Sequence, residues 1–217
     1  MKIFLDTADI EAIRRADATG LIDGITTNPT FVSKTGRNLE DLLKEICSIV
    51  TGPVNGEAMG STVVELIKHA RHLASIAPNI CVKVPMTPDG LTALGILERE
   101  HQISTNVTMC FSPSQAFLAM KAGASYVSLV LSRLDAIGHD SEQLVEDAVT
   151  IQQQYGFKTE IIAASIKTQS SLLTCLRAGV DIATIPPTLF DQLFQHPLTD
   201  VGLEQFRQDW QKLTEGG

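Results

Sequence analysis

A lysine stands in the middle of an apolar run, Ile80-Cys81-Val82-Lys83-Val84-Pro85. Burying an ammonium is costly, so a lysine in such a run either reaches solvent or serves chemistry. Burial favours the neutral amine, the form that attacks a carbonyl carbon. The competing reading is an edge strand whose lysine guards against the addition of another strand. Side chains alternate along a strand, so residues two apart share a face. On that rule Thr26 goes with Asn28, Asn55 with Glu57, Asn106 with Thr108, and Lys83 with Cys81 rather than with Val82 and Val84. Asp6 closes one strand-like run and Ser165 another. Taken singly, Asp6 or Asn28 could cap a following helix, and Ser165 could satisfy a loop backbone. Together they suit Schiff-base chemistry at a ketone, with Lys83 as the nucleophile. Glu57, Thr108 and a water could relay the protons of carbinolamine dehydration, and Asp6 could act as base on the departing hydroxyl. Asn28 and Asn106 could hold substrate hydroxyls.

The elements that must position these groups recur along the whole chain. Eight strand-like runs are marked by apolar and β-branched residues: 3–6, 25–28, 54–58, 80–85, 105–109, 126–131, 160–165 and 182–185. Helical periodicity lies between them. Asn38 can cap a helix through Leu42, Leu43 and Ile46, and Ser61 or Thr62 one through Val64, Ile67 and Leu73. Asp89 is expected to open a helix through Leu91, Leu94 and Leu97, and Ser112-Pro113 one that Gly123 ends. Asp140 or Ser141 opens the next, and helices are expected over 167–178 and 187–195. Strand–helix alternation repeated eight times predicts a single-domain α/β fold, a (β/α)8 TIM barrel spanning 1–217. The rival open sheet would carry a glycine-rich first turn if it bound nucleotides, and neither G-x-G-x-x-G nor G-x-x-x-x-G-K-[ST] occurs. A closed barrel has no edge for Lys83 to protect, and polar groups at several strand ends are where a barrel builds its site. An extra amphipathic helix is expected over 199–214, with Leu203, Phe206, Trp210 and Leu213 on one face. Either its own barrel or a neighbouring subunit must cover that face.

Composition limits the partners. The formal net charge of −8 is unfavourable for nucleic acid or an anionic membrane, though not for a local basic pocket. The four cysteines lie far apart without a C-x-x-C pair, which suits a reducing compartment. No segment has the length and apolarity of a membrane span, so a cytoplasmic protein is expected. Asn106-Val107-Thr108 fits a glycosylation pattern but falls within a strand, and His69 and His72 lack the partners a metal needs.

Six motifs carry a resemblance to a known family: Phe4-Leu5-Asp6-Thr7-Ala8, Asp23 to Thr30, Val82 to Thr87, Thr105 to Thr108, Ser132-Arg133-Leu134-Asp135 and Ala163 to Lys167. In this order, and closing with Phe206 and Asp209-Trp210, they resemble the short subfamily of the transaldolases, which also holds fructose-6-phosphate aldolases. The resemblance covers nearly the whole chain. It implies a (β/α)8 barrel with Lys83 as the Schiff-base lysine, Asp6 as the acid/base of carbon–carbon cleavage, and Glu57, Thr108 and water as the proton relay. It implies substrate-hydroxyl contacts at Asn28, Asn106 and Ser128, support from Thr26, and a phosphate-binding set of Arg133, Ser165 and Lys167. The fork of Arg133 suits a phosphate, while Lys167 stands where relatives carry arginine and offers a point charge. The resemblance implies sugar-phosphate substrates and no metal or organic cofactor. It also implies a homo-oligomer, pentamer or decamer, in which the C-terminal helix reaches a neighbour. Ser128-Leu129-Val130-Leu131-Ser132 departs from the pattern, since Val130 replaces the phenylalanine of transaldolases and the tyrosine of the aldolases. Glu57, where the aldolases carry glutamine, leans towards transaldolase.

Overall fold

The computed structural model describes residues 1–215. The chain opens with β1 (Lys2–Asp6), α1 (Ile10–Asp17), β2 (Gly24–Thr26), α2 (Pro29–Thr35), α3 (Leu39–Ile49) and β3 (Val54–Glu57). It continues through α4 (Val63–Ala74), β4 (Ile80–Pro85), α5 (Pro88–Glu100), β5 (Thr105–Cys110), α6 (Pro113–Ala122) and β6 (Tyr126–Val130). The last third holds α7 (Leu131–Asp135), α8 (Ser141–Tyr155), β7 (Glu160–Ala164), α9 (Gln169–Ala178), β8 (Ile182–Ile185), α10 (Pro187–Gln192) and α11 (Pro197–Glu215). All eight strands are parallel, and β8 pairs with β1 to close the barrel. Closure removes the edge: Lys83 on β4 sits in register with Glu57 on β3 and with Asn106 on β5.

Strand alternation sorts the side chains into two cores. Outward-facing Leu5, Ile25, Val82, Val84, Val107, Val127 and Ile161 pack with the helices into one continuous apolar layer. Inward-facing Phe4, Ile162 and Ile182, with Tyr126 and Ala164 against them, plug the lumen. Gly24 makes room for this plug, because a Cβ there would come within 2.8 Å of the Phe4 ring and 2.7 Å of the Pro53 carbonyl oxygen. Burial in the plug pushes the Tyr126 phenol up to about 12, so it stays neutral. The lumen is therefore solid and apolar at the strand N-termini, and the polar residues gather above it.

Helix starts follow the capping chemistry of the sequence with two corrections. Asn38, Thr62, Ser112 and Asp140 cap α3, α4, α6 and α8 through their side-chain oxygens, as expected. Thr87, not Asp89, caps α5, because Pro88 fits the first helical position and moves the cap ahead of it. β2 ends at Thr26, two residues early. Pro29 holds Asn28 extended, and Asn28 becomes the cap of α2 by accepting from the Phe31 N–H at 3.0 Å. Helices α1, α2 and α7 add to those that periodicity announces. On α11 the stripe does not pack back on its own barrel: Leu203, Phe206, Trp210 and Leu213 are all exposed, Phe206 at 72% and Trp210 at 68%. Among the described residues no helix is long and apolar enough to cross a membrane.

Candidate active site

A cavity of about 420 Å³ opens above the plug at the C-terminal ends of the strands. Lys83, Asp6, Glu57, Thr108, Thr26, Asn28, Ser128, Arg133, Ser165 and Lys167 all border it. Lys83 is only 8% exposed. Its Nζ donates to the Thr27 carbonyl at 3.0 Å and lies 3.4 Å from Glu57 Oε2. The register of β3 against β4 makes that pairing, since Glu57 and Lys83 are Cα partners on the same face. Cys81 shares the inward face but sits lower, and burial drives its thiol far above the ordinary range, so it is no rival nucleophile.

Asp6 is held from the β2 side. Burial raises its carboxyl above the usual aspartate value, while the Thr26 hydrogen bond and the charges of Lys83 and Lys167 pull the other way. Thr26 Oγ1 donates to Asp6 Oδ1 at 2.8 Å and lies 2.6 Å from Thr184 Oγ1. A carboxyl poised between these influences can exchange a proton with a substrate hydroxyl in its cavity.

Asn106 takes a different place from the other predicted residues. It is fully buried beneath the cavity, outside its lining, and spends its amide on neighbours. Asn55 Nδ2 donates to the Ile25 carbonyl at 3.1 Å, Asn106 Nδ2 donates to Asn55 Oδ1 at 2.8 Å, and Ser128 Oγ donates to Asn106 Oδ1 at 2.9 Å. A backbone carbonyl can only accept, so it fixes the direction of the entire chain. Ser128 thus has its proton committed and turns lone pairs to the cavity, ready to accept from a ligand hydroxyl.

The rim is made differently. Arg133 and Lys167 are exposed cations, and Arg133 Nη1 donates to the Met109 thioether at 3.8 Å. Met109 and Ser165 both adopt left-handed backbone, φ 65 and φ 60, and both border the cavity. Such conformations cost of order 1 kcal/mol and tend to gather at ligand sites. The β5–β6 register shift between Val107 and Cys110 turns Met109 into the mouth. Val130 borders the cavity beside it, without a ring or a phenol.

Thr184 and Met109 are among the cavity residues absent from the sequence-derived set. Thr184 is the one polar residue of the run Ile182-Ala183-Thr184-Ile185, the same signal that singles out Lys83. Met109 shares a face with Val107 by alternation, and only the bulge redirects it. The histidines are used structurally: His69 Nδ1 accepts from the Met59 N–H at 2.8 Å, and His72 lies 2.7 Å from Glu40. Among the described residues no cluster of three or more His, Cys, Asp or Glu could hold a metal ion.

A (β/α)8 barrel with a lysine amine, two carboxylates and a cationic rim gathered at its C-terminal mouth has the fold and site layout of a barrel enzyme. The family model described as Transaldolase/Fructose-6-phosphate aldolase matches residues 3–216, and the chain belongs to that family. It is 49% identical over 210 residues to a protein of Caulobacter sp. (strain K31) named "Probable transaldolase", covering 97% of this chain and 96% of the relative. It is likewise 49% identical over 215 residues to one of Aquifex aeolicus (strain VF5) with the same name, covering 99% of both. A transaldolase-type enzyme is what these names and the family support. Among solved structures, thiamine phosphate pyrophosphorylase from Pyrococcus furiosus superposes with a TM-score of 0.58 at 16% identity, covering 85% of each chain, a likeness of fold alone.

Proposed function

We propose that this protein is a transaldolase that carries a dihydroxyacetone unit on Lys83. The donor is a ketose phosphate, sedoheptulose 7-phosphate or fructose 6-phosphate, and the acceptor an aldose phosphate, glyceraldehyde 3-phosphate or erythrose 4-phosphate. That exchange belongs to the pentose phosphate pathway of the cytoplasm. The observation that carries the reading is the Lys83 amine buried at the cavity floor, between Glu57 Oε2 and the Thr27 carbonyl.

Once Lys83 is deprotonated, its lone pair forms a C–N bond to the ketone carbon, and the carbonyl oxygen takes a proton to give the carbinolamine. Glu57, relaying through Thr108 and a water, delivers the proton with which this hydroxyl departs as water, leaving an iminium. Asp6 removes the proton of the β-carbon hydroxyl, the bond between the α and β carbons breaks, and its electron pair flows into the iminium to form an enamine. The released aldose carries the former β carbon as its aldehyde. The acceptor aldehyde is then attacked by the enamine, Asp6 returns its proton to the new alkoxide, and hydrolysis frees Lys83. Asn28 and Ser128 hold substrate hydroxyls, with Asn106 acting through Ser128, while Arg133, Ser165 and Lys167 take the phosphate.

A second reading is fructose-6-phosphate aldolase, favoured by the space that Val130 leaves beside the cavity. It would let water protonate the enamine and release free dihydroxyacetone. A coupled assay with fructose 6-phosphate, with and without erythrose 4-phosphate, separates the two. Turnover that needs the acceptor supports transfer, and equal turnover without it supports the aldolase.

The stripe on α11 favours a homo-oligomer, pentamer or decamer, with the helix laid on a neighbouring subunit. Exposed Phe206 and Trp210 are too apolar to remain in water without cost. Light scattering of the native chain and of a Phe206→Ser/Trp210→Ser variant tests this, with a smaller particle expected from the variant and an unchanged one contradicting it.

A further inference from the structure

We propose that Thr184 is a positioning residue for the reaction: its hydroxyl donates to Thr26 and so commits the only hydroxyl proton of Thr26 to the carboxylate of Asp6. The role of Asp6 rests on the transaldolase reading, but the arrangement of the three groups does not. β2 and β8 flank β1 on its two sides. Thr26 and Thr184, both almost fully buried, meet on the lumen side of β1 with their oxygens 2.6 Å apart. Thr26 lies 2.8 Å from Asp6 Oδ1.

Counting protons fixes the direction. An ionised carboxylate only accepts, so the single proton of Thr26 points to Asp6. The proton of the contact between the two hydroxyls must then come from Thr184. Each bond in such a chain polarises the next, and the end that touches a charge gains most. With Asp6 protonated the chain can run the other way, ending on a neutral acceptor, which strengthens it less. Thr184 therefore favours the ionised form of Asp6.

The reaction gives this support a purpose. The cations facing Asp6 are Lys83 on β4 and Lys167 after β7, with Arg133 and the carboxylate of Glu57 lining the same cavity. The charge of Lys83 changes during the cycle, being absent from the attacking amine and the enamine and present in the iminium. The pair of hydroxyls is neutral throughout. It supports the Asp6 carboxylate at the iminium stage, when the β-hydroxyl proton must be taken, and can reverse at the enamine stage, when Asp6 holds that proton.

The test is the titration of Asp6 followed by carbon NMR of aspartate labelled at its carboxyl, the resonance being assigned by its loss in Asp6→Asn. Thr184→Val, nearly the same shape, is expected to raise the Asp6 midpoint by about 0.3 pH unit, from a ~20% weakening of a charged hydrogen bond. Thr26→Val is expected to raise it by roughly one unit. Thr184→Ser should restore the native midpoint, and Thr184→Val should add nothing in the Thr26→Val background. A hydroxyl that only fills space would change melting temperature and leave the titration alone. An unmoved midpoint in Thr184→Val, or an equal shift in both backgrounds, overturns the proposal. Thr184→Ser also guards against misfolding of the valine variant. Failure to trap a substrate on Lys83 would sink the transaldolase reading and leave this titration result standing.

Discussion

At the floor of the mouth Lys83, Thr26, Ser128 and Thr184 are buried, and each is tied to a named partner at 3.0 Å or less. At the rim Arg133 and Lys167 stand in solvent, and the side-chain contact of Arg133 is a thioether at 3.8 Å. The floor hangs from the backbone of β2 and the residue after it: the Thr27 carbonyl receives Lys83 and the Ile25 carbonyl orients Asn55, Asn106 and Ser128 in turn. Among the described residues nothing comparable orders the rim cations. Groups that must meet one carbon atom are held before the substrate arrives, which is where rate enhancement by positioning comes from. Groups that must meet a mobile, highly charged phosphate can be left free, because a guanidinium gains its bonds on contact.

Cutting the floor should therefore reduce kcat, and cutting the rim should raise KM. Lys83→Met is expected to remove transfer activity by about 10⁴-fold or more while leaving the fold intact, read by the coupled assay and by circular dichroism. Asp6→Asn should lower kcat by ~10²–10⁴-fold with KM little changed, since it removes only proton transfer. Arg133→Ala should raise KM for a phosphorylated ketose by about 10–100-fold, the worth of a charged hydrogen bond or two, and leave kcat within a few-fold. Dihydroxyacetone with glyceraldehyde as acceptor, a pair without phosphate, should be used by that variant as well as by the native enzyme. A fall in kcat with unchanged KM in Arg133→Ala would erase the division between floor and rim.

The smallest effect concerns stability, and its sign is opposite to that on activity. The folded state raises the Asp6 carboxyl above its unfolded value of 3.8, mainly through burial. A raised acid favours the protonated form in the folded state, so its contribution is fully present below 3.8 and is lost as pH rises through the folded value. At neutral pH the ionised Asp6 thus costs stability. Asp6→Asn should raise the melting temperature there by about 2–4 °C for each kcal/mol relieved. The gain should shrink as pH falls towards 4, and differential scanning calorimetry across that range checks it.

The contrast also explains what could be read from sequence. All eight strands lie within one or two residues of the apolar runs, because a parallel strand covered on both faces leaves a dense hydrophobic signature. Lys83 was visible as a charge in such a run. Alternation assigned inward faces to Asn106 and Thr108 alike but is blind to height along the lumen, so the burial of Asn106 beneath the cavity could not be read. Thr184 escaped because threonine is an ordinary strand residue and only its contact with Thr26 gives it meaning. Met109 escaped because a bulge breaks the alternation on which the face assignment rests. The stripe of α11 was legible as apolar, and its exposure was not, since periodicity describes a face and not what covers it.

The central claim is that the Lys83 amine forms a covalent bond with a ketose. Borohydride reduction in the presence of fructose 6-phosphate, followed by peptide mass mapping, tests it most directly. A reduced three-carbon dihydroxyacetone adduct on the peptide bearing Lys83, absent from Lys83→Met, is the predicted result. An active native enzyme that acquires no adduct, or carries it on another lysine, would contradict the account.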